Sequence, residues 1–262
     1  MYDQEEPQME NYILEVCVDS VESALAAKRG SATRLELCAN LVIGGTTPGY
    51  TLFEQVKEKT GLPVRVLIRP RFGDFLYSHY EYEQMLYDIR YFAQTGADGV
   101  VIGSLKEDGT LNEEQMRGMI EAAGNSGITL HRAFDVCADP VVTLQRAAEL
   151  GVDTILTSGQ EADCVAGCEL LRRLVQLSAD KCGGIDNPAI LAGAGVSSAN
   201  IAEIAKITGA HAFHMSGKKL CLSGMHYRNE RVHMGLKELS EFQIYRTDET
   251  EIRRAVEILQ SL

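Results

Sequence analysis

Eight short apolar runs recur along the chain: Tyr12–Val18, Arg34–Cys38, Val64–Arg69, Gly99–Ile102, Ile128–His131, Thr154–Thr157, Ile190–Gly193 and Ala212–Met215. Most are rich in Val, Ile or Leu, and all are short enough for a buried strand. Amphipathic stretches of helical period lie between most of them: Glu22–Arg29 behind Ser20 as N-cap, then Tyr82–Thr95, Asn112–Ala123, Pro140–Leu150, Cys164–Leu177 and Asn200–Thr208. Gly30, Gly96, Gly127, Gly151 and Gly209 are each expected to close a helix just before the next strand. Eight strand-then-helix units in 262 residues predict the α/β class and a single eight-stranded parallel (β/α)8 TIM barrel, with Glu249–Leu262 as its closing helix. The competing architecture, an open doubly wound sheet, would carry a Gly-x-Gly-x-x-Gly turn after an early strand, and none is present. The barrel is expected over residues 11–262, behind a loose acidic tail over 1–10. Residues 217–246 form an unusually long connection after the eighth run, of the kind that serves a site or an oligomer.

Charge narrows the partners. The chain has 25 Lys+Arg against 37 Asp+Glu, a net −12. That balance argues against nucleic acid, which needs cationic phosphate contacts, and against an anionic membrane surface. The longest uncharged stretch, Leu37–Phe53, is broken by Gly44-Gly45, Thr46-Thr47 and Pro48-Gly49, so no membrane span is expected. The start, Met1–Pro7, is acidic and lacks the basic and apolar segments of a secretory signal. With seven cysteines and no Cys-x-x-Cys, the expectation is free thiols in a reducing cytoplasm. Cys164 and Cys168, four apart on an expected helix, share a face, and Met116 and Met119 form a Met-x-x-Met; both are read as packing rather than soft-metal sites.

In a barrel of this kind the site lies at the C-terminal ends of the strands. The first two end alike, Leu14-Glu15-Val16-Cys17 and Leu35-Glu36-Leu37-Cys38. Glu and Cys two apart point to one side of a sheet, and a carboxylate inside an apolar strand is costly unless paired or functional. If that side is the barrel interior, two carboxylates and two thiols converge. The third strand runs into Arg69-Pro70-Arg71-Phe72-Gly73-Asp74. Arginine forks suit carboxylate or phosphate, and Arg69 is placed to pair with Glu15 or Glu36. The fifth ends in His131-Arg132-Ala133-Phe134-Asp135, which offers His131 as a general acid or base. Gly193, Gly195 and Ser216 lie in Gly-rich turns after the last two strands, where such barrels often bind phosphate, and Ser158 adds a hydroxyl to the same rim. One function consistent with this rim is an enzyme acting on a small anionic molecule. Glu15, Glu36, His131 and Asp135 would be its catalytic groups, and Arg69, Arg71, Asp74, Arg132, Ser158, Gly193, Gly195 and Ser216 would bind the ligand. The competing reading is an ion-pair network that only holds the barrel mouth together.

Leu14–Ser20, Arg34–Cys38, Gly44–Pro48, Ile68–Arg71, Gly73–Phe75, His131–Asp135 and Leu156–Gly159 together resemble the CutC copper-homeostasis family, in the family's order. Thr46, Gly49 and Phe72 depart from its usual residues in strand-end loops. The resemblance implies an eight-stranded α/β barrel, a cytoplasmic location, a homo-oligomer and a role in copper handling. It also implies that Cys17 and Cys38 are the metal ligands, for copper(I). No organic cofactor is indicated. Copper handling and small-anion enzymology therefore stand as two expectations on one site.

Overall fold

The computed structural model describes residues 12–181, 188–232, 234 and 239–262. The expected tail over 1–10 and Cys182 lie outside the described residues. Eight parallel strands close into a barrel in chain order. They are β1 (Ile13–Val18), β2 (Arg34–Leu37), β3 (Val64–Leu67), β4 (Gly99–Ile102), β5 (Gly127–Leu130), β6 (Thr154–Thr157), β7 (Ala189–Ala192) and β8 (Ala212–Met215). The outer ring is α1 (Val21–Arg29), α2 (Tyr50–Thr60), α3 (His79–Gln94), α4 (Glu113–Ala123), α5 (Pro140–Leu150), α6 (Cys168–Lys181), α7 (Ile201–Thr208) and α8 (Glu249–Gln260).

The strands are buried on both faces, and the pleat sorts their side chains. Leu14, Val16, Leu35, Leu37, Val64, Val66 and their counterparts pack outward against the helices in the main core. The alternate residues face inward. Toward the C-terminal end these include a small cluster of Cys17, Cys38, Leu67 and Val101, and Leu156, Leu191 and Ala212 form another inside the barrel. Charge sits among them, because Glu15, Arg34, Glu36 and His131 are all buried.

Several local expectations change. Helix α2 is absent from the sequence reading: it buries only Phe53, Val56 and Thr60, and it follows a Gly/Thr/Pro loop that hides its start. Helix α3 begins at His79, three residues earlier than read, under a capping box between Ser78 and Glu81. Cys164 is not helical. The Asp163 carboxylate accepts the N–H groups of Val165 and Ala166 in a turn, and α6 starts only at Cys168. The two cysteines therefore do not share a helix face; the Cys168 thiol donates to the Cys164 carbonyl. Gly127 opens β5 rather than closing a helix, and Gly124 caps α4. The long connection contains an antiparallel pair, β9 (Lys218–Leu222) and β10 (Gln243–Thr247), which returns the chain to α8. No helix among the described residues is long and apolar enough to cross a membrane.

Candidate functional site

The parallel register of β1 with β2 and β8 sets Glu15 beside both Arg34 and His214. Arg34 Nε donates to Glu15 Oε2 at 2.5 Å, and His214 Nδ1 lies 2.8 Å from Glu15 Oε1. On the other side of the imidazole, Nε2 is 3.7 Å from Glu36 Oε2. Burial acts to raise the Glu15 pKa, but Arg34 and His214 outweigh it and hold the carboxyl at about 2. An ionised Glu15 can only accept, so His214 Nδ1 carries a hydrogen, which fixes the tautomer. Burial acts to discharge His214, yet Glu36 and Glu15 on either side raise its pKa above its ordinary value. Glu36 is pushed up, first by burial. The result is an imidazole steered by one permanently charged carboxylate toward a second one that protonates readily, the arrangement used both for proton transfer and for presenting Nε2 to a metal.

Cys17 and Cys38 meet. Their sulfurs are 3.7 Å apart, and Cys38 is also within 3.6 Å of the Val18 carbonyl. The hydrogen bond to Cys38, together with burial, pushes the Cys17 thiol well up. Single ligand atoms from Cys17, Glu36 and His214 all lie within 4.8 Å of one another, the one such group of metal-capable side chains among the described residues. His214 was not among the residues singled out from the sequence. It sits in the least strand-like of the eight runs, and only the closure of β8 onto β1 brings it to Glu15.

Arg69 corrects one expectation: it pairs with neither Glu15 nor Glu36. The partner of Glu15 is Arg34, which the sequence reading passed over as the first residue of a strand. Arg69 instead donates to the carbonyls of Gly44, Gly45 and Gly73, with its guanidinium 5.0 Å from the Phe75 ring. His131 corrects another. Its Nδ1 accepts the Ala133 N–H at 3.1 Å, and burial, aided by the Arg69 charge, pushes its pKa down to about 3. The ring is neutral with its hydrogen on Nε2, so it offers a donor and no free lone pair for a general base. Arg69, His131, Cys17, Glu36 and His214 all line one inner cavity of about 120 Å³.

The other expected residues lie apart from that cavity or at its edge. Asp135 accepts from Thr157 Oγ1, the Ser158 and Gln160 N–H groups and Arg132, so its carboxylate is fully engaged in tying the loop after β5 to the loop after β6. Ser158 is locked in the same network, its hydroxyl donating to the Glu161 carbonyl. Arg71 binds Glu81 and Asp74 at the surface and shapes the loop after β3. Gly195 and Ser216 line a wider outer cleft of about 690 Å³, which shares Cys17, Gly44, Arg132 and His214 with the inner cavity. In the loop after β7 the Ser197 N–H is taken by Asn200 and the Ser198 N–H by Glu251, so a carboxylate of the chain itself stands at this helix entry. Gly193 is not among the residues that line the cleft, and an added Cβ there would meet Leu156 and His214.

Comparison with known proteins agrees with this architecture. The CutC family profile matches residues 12–219. A CutC family protein from Bacteroides fragilis is 43% identical over 256 residues, covering 97% of this chain and 98% of its own length. The human copper homeostasis protein cutC homolog is 40% identical over 243 residues, covering 92% of this chain and 87% of its own. The crystal structure of a CutC from Streptococcus agalactiae superposes with a TM-score of 0.73 at 26% identity, over 78% of this chain and 98% of that one. With the profile spanning most of the barrel and relatives aligned along nearly the whole chain, this protein belongs to the CutC family.

Proposed function

We propose that the protein handles copper(I) in a reducing cytoplasm, taking the ion between Cys17 and Cys38. The observation that carries this reading is the 3.7 Å separation of the two sulfurs inside the barrel mouth. Soft thiolates select copper(I) over hard cations. Metal–sulfur bonds of roughly 2.3 Å to sulfurs this far apart meet at a bend of about 110°, so an ion there calls for a further donor. His214 Nε2 and Glu36 stand next to Cys17 to supply one, and the Glu15 hydrogen bond orients the imidazole for it. The Cys17 thiol holds its proton tightly, so binding must expel it. Copper(I) affinity is therefore expected to rise with pH, by up to about tenfold per pH unit for each thiol proton released. Competition titrations under anaerobic conditions from pH 6 to 8 test this; affinity that is flat across that range would contradict thiolate ligation.

A second reading draws on the same three side chains, because an imidazole held between the carboxylates of Glu15 and Glu36 also suits proton transfer on a small anionic molecule in the inner cavity. Glu36 is then the group that exchanges the proton, through its raised pKa. Deuterium exchange from solvent into a small 2-substituted carboxylic acid, abolished in Glu36→Gln, is the expected result. Exchange at the same rate in the variant would remove Glu36 from that role.

A further inference from the structure

We propose that the inner cavity binds a small monocarboxylate, held by the guanidinium of Arg69 and the Nε2–H of His131. This deepens the second reading by naming the class of molecule, and binding itself requires neither copper nor turnover.

Three arginines reach into the barrel from β2, β3 and the turn that follows β3. Two of them meet a carboxylate: Arg34 with Glu15, and Arg65 with Asp153 at 2.7 Å. Arg69 meets none among the described residues. It is 9% exposed, and its four bonds to protein oxygen go to carbonyls or originate from its backbone. Its Nε is buried without a hydrogen-bond partner. Arg34 also keeps a buried unpartnered Nη2, but its charge is met by Glu15. A guanidinium taken out of water without a counter-charge is held at high cost, and an anion relieves it.

His131 stands beside it. The residue is 4% exposed, and its Nε2 is the second buried donor of this wall with no partner. The Phe75 ring packs against both side chains, 5.0 Å from the Arg69 guanidinium and 4.8 Å from the imidazole. Gly103 makes room for the ring, because a Cβ there would lie 2.6 Å from His131 Cε1. With Nδ1 committed to the Ala133 N–H, the tautomer that leaves Nε2 as a donor is imposed by the fold. Both side chains line the cavity and flank the Phe75 ring, so one charged and one neutral donor are available to the two oxygens of a carboxylate.

Size and charge narrow the class. A cavity of about 150 Å³ is known to hold benzene, so this one of about 120 Å³ accepts a molecule of roughly six non-hydrogen atoms or fewer. Glu36 also lines the cavity, and when ionised its carboxylate opposes a second negative charge on the ligand, which favours a monoanion over a dianion such as phosphate. The lining shared with the outer cleft gives the ligand a way in.

Saturation-transfer NMR with lactate and with acetate, on copper-free protein, tests the proposal, with inorganic phosphate as competitor. Saturable binding of at least one acid is expected, weakened tenfold or more in Arg69→Gln and in His131→Asn and not displaced by an equal concentration of phosphate. The asparagine variant can still accept the Ala133 N–H, so it stands as the deciding one if loss of Arg69 unfolds the loop carbonyls it gathers. No saturable binding of either acid, binding unchanged in His131→Asn, or displacement by phosphate would each overturn the assignment. Binding that persists while Glu36-dependent exchange is absent would remove the proton-transfer reading and leave this site standing.

Discussion

Replacing Arg34 with methionine is expected to lower stability by about 3–5 kcal/mol, because it leaves a carboxylate buried without its cation. The Glu15 side chain has no exposure to solvent, and Arg34 contacts it at 2.5 Å. Burial is the largest influence on Glu15 and opposes its ionisation, so Arg34 is what makes the charge tolerable. A loss of that size corresponds to roughly a 10 °C fall in melting temperature for a chain of this length. The double variant Glu15→Gln, Arg34→Met is expected to recover much of the loss, since no charge is then stranded. The pH dependence has a definite sign. A carboxyl held at about 2 when folded, against an ordinary 4.5, contributes stability that is fully present above about 4.5 and is lost as pH falls toward 2. In Arg34→Met burial is no longer offset by that cation and the folded carboxyl's pKa moves up, so the acid-dependent loss shrinks or reverses sign. Thermal unfolding between pH 3 and 7 measures both effects, and a change below about 1 kcal/mol at pH 7 would show that the pair is not what supports Glu15.

The barrel was legible because its strands are apolar runs separated by amphipathic stretches, a pattern that needs no tertiary information. Helix α2 was not, since Glu54, Lys57, Glu58 and Lys59 dilute the three positions it buries. The site was legible in part for a related reason. Glu15, Cys17, Glu36 and Cys38 announce themselves as polar groups with period two inside apolar strands. Arg34 and His214 do not, because their meaning depends on register: Glu15 lies opposite Arg34 on one neighbour and opposite His214 on the other. Arg69 has the right chemistry for a carboxylate but is drawn to the carbonyls of the loop after β2, whose conformation no residue pattern specifies. His131 reads as an acid–base group from its type alone; only its bond to the Ala133 N–H and its burial turn it into a neutral donor.

Copper(I) binding is expected to collapse when both Cys17 and Cys38 become serine. Losing a partner that merely orients a ligand typically costs a metal site about 10- to 100-fold, so losing two soft ligands outright is expected to cost roughly a thousandfold or more. Serine conserves size and a hydroxyl hydrogen bond, so the barrel is expected to keep its fold, which a melting curve checks. Glu36 and His214 remain in the variant, but hard carboxylate and imidazole alone hold copper(I) poorly. The decisive measurement is an anaerobic copper(I) titration of wild type and of the Cys17→Ser, Cys38→Ser variant against a competing chelator. The account predicts one tightly bound ion per chain in the wild type and none in the variant; weak binding in the wild type, or equal binding in both, would contradict it.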